Sequence, residues 1–292
     1  MFKAQEMEMT DQCAVRYFTA RISDAPWIVL CNGIGASASA WKGLIEHFCT
    51  DYSILYWEYR GLDRAVDISI ARHAADLAAL MEAEGIQDAT VIGWSMGVQV
   101  ALELFQNRSP AVKQLVLLNG ASGGAIREIL NRKNWYWVEP VCKRIASSGR
   151  FWKDVGPFLA RSKRWKSPFT SLCAKMKWLS AELDRAAFHR LLSQWLDLDL
   201  RRIAAQVVVL GNHSTNSFLS SVDVEALVIM GNRDPLVSNR LTRKLYQQLP
   251  KAKLHCVRGS SHFTMLEYPQ TLYCIIDDWM EDQKNSIEPE TV

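Results

Sequence analysis

The chain has 292 residues, 49% of them hydrophobic, which is enough to bury a sizeable core in one large domain or one domain with an insertion. Charged residues make up 22% and the formal net charge is +3, so composition names no polyelectrolyte partner. No apolar run reaches the roughly 18 residues of a membrane span, and the acidic, Met-rich start (residues 1–11) predicts no secretory leader. The seven cysteines are scattered, odd in number and without a C-x-x-C pair. They read as reduced, mostly buried thiols of a cytoplasmic protein, with no spacing suited to zinc.

In chain order, residues 5–23 suggest one or two leading strands. Short, continuous apolar runs follow at Trp27–Cys31, Ser53–Trp57, 90–92, 114–118, 226–230 and 253–257. Continuous runs suit parallel strands covered on both faces. Helical patterns lie between them, at residues 40–48, 68–84, 96–106, 239–248 and 271–281. Alternating strand and helix predicts an α/β fold with a mostly parallel sheet and right-handed crossovers. The alternation breaks between 122 and 219, where helical patterns predominate and residues 207–210 form no strand in register. The predicted organisation is an α/β core over 1–121, a helical cap or lid over 122–219, and the second part of the core over 220–292 with a polar tail.

In such sheets, active sites gather where strands end and helices begin. Thr90-Val91-Ile92 runs into Gly93-Trp94-Ser95-Met96-Gly97 and then a helix. This is G-x-S-x-G in strand–turn–helix context, a nucleophile elbow. The serine must occupy a strained position, the glycines let neighbouring backbone pass closely, and the helix N-terminus faces the developing oxyanion. Met96 N–H is then one oxyanion donor. Serine needs a base oriented by a third group. The run 226–230 ends at Gly231-Asn232-Arg233-Asp234, and the run 253–257 leads to Gly259-Ser260-Ser261-His262-Phe263. Asp234 and His262 therefore fall on the sheet edge of Ser95, in the order serine, acid, histidine. His255 lies inside a run, His213 on the cap side, and Asp223 before its strand. His47, His73 and His189 sit in helical patterns. The Gly-rich turn Asn32-Gly33-Ile34-Gly35 after the first buried run offers the second oxyanion donor, Ile34 N–H, with Gly33 as alternative. Gly33, Trp94 and Phe263 are candidate substrate contacts.

These stretches, together with Tyr59-Arg60-Gly61, resemble the α/β-hydrolase superfamily over roughly residues 12–120 and 220–282, most closely its esterase, lipase and cofactor-free haloperoxidase-like branch. The resemblance implies an eight-stranded sheet, a helical cap after the sixth strand, and no cofactor. Two departures stand out. Asn32-Gly33 replaces the usual His-Gly, and Asn-Gly-Ile-Gly is similar to intracellular polyhydroxyalkanoate depolymerases. The family's usual Asp-x-Arg-Gly-x-Gly-x-Ser turn appears here as Glu58-Tyr59-Arg60-Gly61-Leu62-Asp63-Arg64-Ala65. A serine nucleophile disfavours epoxide hydrolase and dehalogenase chemistry, which uses aspartate there.

The expected activity is hydrolysis of a carboxylic ester or thioester of a largely apolar acyl group, small or carrier-bound, through an acyl-enzyme. Acyl transfer or C–C hydrolysis by the same triad, and a non-catalytic binding protein on this fold, are the alternatives. Residues 124–202 carry seventeen Lys or Arg against seven Asp or Glu, and six of the eleven tryptophans: Trp135, Trp137, Trp152, Trp165, Trp178 and Trp195. The densest part, 150–166, interleaves aromatics with Arg150, Lys153, Arg161, Lys163, Arg164 and Lys166. Either these charges are merely solvated, or the cap meets an anionic membrane surface or an acidic carrier protein. Nucleic acid is not an expected partner.

Overall fold

A computed structural model describes residues 3–60, 67–107, 111–129, 131–148 and 165–287. Eight strands form one sheet: β1 (Lys3–Glu8), β2 (Ala14–Ala20), β3 (Trp27–Cys31), β4 (Ser53–Trp57), β5 (Ala89–Trp94), β6 (Val112–Leu118), β7 (Glu225–Gly231) and β8 (Ala252–Val257). Their spatial order is β1-β2-β4-β3-β5-β6-β7-β8. The leading stretch is a pair of antiparallel strands, β1 on β2, and β2 is antiparallel to β4; every later pairing is parallel. Strands β3, β4 and β5 are buried at every position, as continuous apolar runs require. The last strand departs from that expectation. As a sheet edge, β8 alternates between half-buried and exposed positions until Val257.

Helices α1 (Ala38–Phe48), α2 (Ile70–Ala83) and α3 (Met96–Gln106) cross over between the early parallel strands. Helix α1 buries Ala40, Trp41, Leu44, Ile45 and Phe48, an i, i+1, i+4, i+5, i+8 stripe. Each of the large side chains contributes about 1.5–3 kcal/mol on burial. Ser69 caps α2, its Oγ accepting from Arg72 N–H at 3.1 Å. Between β6 and β7 come α4 (Ala125–Ile129), α5 (Asn131–Ala146), α6 (Lys166–Lys175), α7 (Arg185–Asp197) and α8 (Leu200–Asn212), then a 3₁₀ turn at Leu219–Ser221. Asp184 and Asp199 cap α7 and α8 through Ala187 N–H and Arg201 N–H, each at 2.9 Å. Residues 207–210 thus lie in helix α8. The basic, aromatic stretch 149–164, with Trp152, lies outside the described residues. Helices α9 (Asn239–Gln248), α10 (Thr264–Glu267) and α11 (Pro269–Ile287) complete the fold.

Two apolar layers cover the sheet. One gathers α2 and α3 with Val29, Leu55, Val91 and Val228; the other gathers α1, α7 and α11 with Ile28, Leu30, Ile54 and Ile229. The cysteines correct one expectation. All seven are unpaired thiols, but only Cys31 and Cys173 are buried, and Cys274 is exposed. Burial pushes the Cys31 thiol far up, so it behaves as a small hydrophobe. Among the described residues, no helix is long and apolar enough to cross a membrane, and no cluster of three or more His, Cys, Asp or Glu could hold a metal.

Candidate active site

Strand β5 runs two residues past its expected end, because Gly93 and Trp94 stay in register with Leu117 and Leu118 of β6. The chain then turns sharply at Ser95, whose φ of 56° and ψ of −115° are rare for a non-glycine residue. Such a position costs about 1–3 kcal/mol and persists only where its surroundings enforce it. Ser95 N–H donates to Leu118 O at 3.0 Å, and Ser95 O accepts from Val98 N–H at 3.1 Å. The flanking glycines are required by close approach. A Cβ on Gly97 would stand 2.1 Å from Cys31 O, and one on Gly93 would stand 2.4 Å from Gly97 O.

The sheet edge brings the three candidate residues together. His262 Nε2 lies 2.9 Å from Ser95 Oγ, and His262 Nδ1 lies 2.8 Å from Asp234 Oδ2. Asp234 is held on both oxygens. Oδ1 accepts from Leu236 N–H and Val237 N–H, both at 2.8 Å, and Oδ2 also accepts from Asn119 Nδ2 at 3.2 Å. Trp94 Nε1 donates to His262 O at 3.0 Å, so this candidate substrate contact also fixes the histidine's backbone. Phe263 packs its ring on Trp94, His262 and Phe188.

The Gly-rich turn after β3 sits against Ser95: a Cβ on Gly33 would lie 3.3 Å from Ser95 Cβ. Asn32, which stands where the resemblance expects histidine, is buried and structural. It donates to Trp57 O at 2.7 Å, accepts from Trp41 Nε1 at 2.7 Å, and its carbonyl accepts from Tyr59 Oη at 2.8 Å. Gly35 N–H donates to Gln206 Oε1 of α8 at 3.3 Å. Ile34 N–H makes no hydrogen bond among the described residues. Met96 N–H heads α3, where the first turn lacks intrahelical acceptors. Both groups can serve a ligand oxygen at Ser95.

Above Ser95 opens a cavity of about 430 Å³. Its walls combine Gly33, Ile34, Trp94, His262 and Phe263 with side chains of the inserted helices, among them Leu191, Trp195 and Leu210. Beyond Ser95 and His262 the lining side chains are almost entirely apolar. Of the tryptophans in this region, Trp178 and Trp195 line the cavity, whereas Trp135 is buried against Gly211 and Trp137 is exposed.

Three contributors were not singled out from sequence. Asn119, at φ 46°, bridges Asp234 and the His262 loop, donating also to Ser261 O at 3.1 Å and accepting from Thr264 Oγ1 at 2.7 Å. Glu267 is buried and accepts from Ser261 N–H and Ser261 Oγ, each at 2.6 Å, and from Ser180 N–H at 2.8 Å. Gln206 is the third. The only signal for Asn119 is a polar residue directly after a buried run; nothing local marks the other two. The competing residues lie apart. Asp223 is exposed before β7, His255 is within β8, His47 meets Asp277 at 2.7 Å, His189 meets Thr170 at 2.9 Å, and His213 faces Glu103 at 3.0 Å.

Known proteins share this architecture. The chain is 25% identical over 261 residues to the putative carbamate hydrolase RutD of Escherichia coli O9:H4 (strain HS), covering 87% of this chain and 91% of that one. An esterase from Thermogutta terrifontis superposes with a TM-score of 0.74 at 15% identity, over 96% of this chain and 98% of that one. The enol-lactonase from Burkholderia xenovorans gives 0.73 at 18% identity, over 95% and 100%. At these identities the two structures speak for the fold alone. The sequence pattern of the Alpha/beta hydrolase family matches residues 28–273, from Ile28 in β3 to Tyr273 in α11, a span that includes every residue of the Ser95 site, and the chain belongs to that family.

Proposed function

We propose that the chain is a serine hydrolase that cleaves a carboxylic ester or thioester of a largely apolar acyl group. The observation that carries this is the hydrogen-bonded relay Ser95–His262–Asp234, at 2.9 and 2.8 Å, at the floor of an apolar cavity. His262 Nε2 takes the Ser95 proton as Oγ attacks the acyl carbonyl carbon. Asp234 accepts from Nδ1–H, fixes the tautomer and stabilises the imidazolium. The carbonyl oxygen becomes an oxyanion held by Met96 N–H and Ile34 N–H. His262 then returns the proton to the leaving alcohol or thiol. In the second half His262 deprotonates a water, which releases the acid and restores Ser95. The cap formed by α4 to α8 supplies most of the acyl-binding wall. A small polar carbamate, suggested by the name of the RutD relative, would find few polar partners in this cavity.

Nitrophenyl esters of graded chain length and a fluorophosphonate probe test the reading. Wild type should turn over the esters and be labelled on Ser95. Ser95→Ala should lower kcat by on the order of 10⁶ while the fold is kept, and His262→Ala should suppress labelling. Ester turnover by Ser95→Ala near the wild-type rate would remove Ser95 from the nucleophile's role.

A further inference from the structure

The inserted helices turn apolar side chains outward as well as inward. Helix α6 buries Thr170 and Cys173, yet exposes Phe169 and Leu172, and its C-cap Met176 is exposed as well. At i, i+3 and i+7 these form one apolar stripe along the solvent side of the helix. Trp178, just past the helix end, is exposed as well. Large apolar residues scattered singly over a surface are ordinary; grouped ones mark a binding face. These are grouped around an opening. Ile129, Phe169, Trp178 and Leu236 are exposed and at the same time line the cavity above Ser95. The outer apolar stripe is therefore continuous with the inner apolar wall.

Cations are interleaved with this rim. Lys175 and Lys177 alternate with Met176 and Trp178, and Arg127 precedes Ile129 by two residues; all three are exposed. Arg127 donates to Asn212 Oδ1, while Lys175 and Lys177 make no ion pair among the described residues. Among the described residues, the exposed carboxylates of the insertion, Glu182, Asp184 and Asp197, lie on or beside α7 rather than on α6.

We propose that this rim docks on an anionic lipid–water interface, from which the cavity takes an amphiphilic ester. Aromatic and aliphatic side chains with flanking lysines meet both halves of such a surface, the acyl region and the phosphates. An acidic protein would satisfy the lysines but leave the apolar stripe without hydrocarbon. The second half of the proposal, an ester as cargo, rests on the serine hydrolase reading; the docking itself does not.

The test is co-sedimentation of the full chain with phosphatidylcholine vesicles, with and without phosphatidylglycerol, at low and high salt. Wild type should sediment with the anionic vesicles, less with the neutral ones, and come off as salt rises. Lys175→Gln with Lys177→Gln should weaken partitioning by about fivefold for each lysine. Leu172→Ser with Met176→Ser should weaken it with both lysines intact. None of these four residues lines the cavity, so both double variants should hydrolyse a soluble short-chain ester at the wild-type rate. Ser95→Ala should sediment like wild type. Equal or absent sedimentation with the two vesicle types at low salt would overturn the proposal. So would wild-type partitioning of both double variants, or salt-sensitive binding to an acidic carrier protein alone. Anionic-vesicle binding by a chain that cleaves no ester would leave the docking standing and remove the hydrolase reading instead.

Discussion

Ser95 follows β5 directly, and Asp234 and His262 lie in the loops just beyond β7 and β8, so residue order alone put all three at one sheet edge. Polar side chains in the loops that follow parallel strands gather over that edge. Asn119 obeys the same rule after β6 but carries no titratable group, so nothing distinguished it from a turn residue. Its amide reaches Asp234 Oδ2 at 3.2 Å and Ser261 O at 3.1 Å, joining the acid to the histidine loop. Asn119 does not line the cavity. Asn119→Ala should therefore lower kcat by on the order of 10- to 100-fold with KM little changed. Steady-state kinetics on a soluble ester checks this, with a thermal melt to show the fold intact. A matched rise in KM with unchanged kcat would mean Asn119 does not position the relay.

At the scale of elements, the helices between β6 and β7 do more than cover the cavity. Gln206 of α8 accepts from Gly35 N–H, and Gln194 of α7 accepts from Ser37 Oγ at 2.5 Å and from Ser39 Oγ. Gly35 has φ +63° and lies under Trp195, whose Cδ1 would stand 2.4 Å from an added Cβ. Ser180 N–H reaches Glu267 behind the histidine loop. The insertion thus grips both loops that flank Ser95. Gln206→Leu keeps the bulk and removes the acceptor, leaving Gly35 N–H without its partner. A loss of roughly tenfold in kcat is expected, the size of one hydrogen bond's effect on the turn. An unchanged kcat would show that the turn holds its shape without α8. The helical character of this region was readable from its pattern, but these contacts were not. The contacts to the Gly35–Ser39 turn join residues more than 150 positions apart, and Ser180 and Glu267 stand 87 apart, which no local periodicity encodes.

Across the whole molecule, two buried polar features tie distant parts of the chain. Arg60 is fully buried; it reaches Asp76 of α2 at 2.6 Å and Asp11 of the β1–β2 turn at 3.2 Å. Its hydrogen bond to Asp11 holds that carboxyl down at about 2. His73 is also buried, stacked on Tyr59 at 4.4 Å, and neither ring nitrogen has a partner among the described residues. Desolvation first, then the charges of Arg202 and Arg60, push it from 6.5 down to about 3, against a small opposing pull from Asp67. Between those values the unfolded chain binds a proton that the folded chain refuses. Stability should therefore be full above pH 6.5 and fall as pH drops toward 3, by up to about 1.4 kcal/mol per unit. Asp11 adds its own loss only below its ordinary 3.8. Urea midpoints of wild type and His73→Leu, measured from pH 7 to pH 4, check this. The leucine variant should show the shallower slope, and parallel slopes would place the acid sensitivity elsewhere. The alternation of strands and helices made the sheet readable at this scale. The pairing of Arg60 with two carboxylates, remote in sequence, was beyond it.

Ser95 and His262 stand 167 residues apart, with the whole insertion between them. As the chain is synthesised, Ser95 leaves the ribosome long before His262 exists. At ordinary elongation rates that gap lasts roughly ten to thirty seconds. On the proposed mechanism, Ser95 stays an ordinary hydroxyl until β8 pairs with β7 and carries His262 to the sheet edge. The same mechanism has the nascent chain unable to attack an acyl group early, its reactivity arriving only with the pairing of β8.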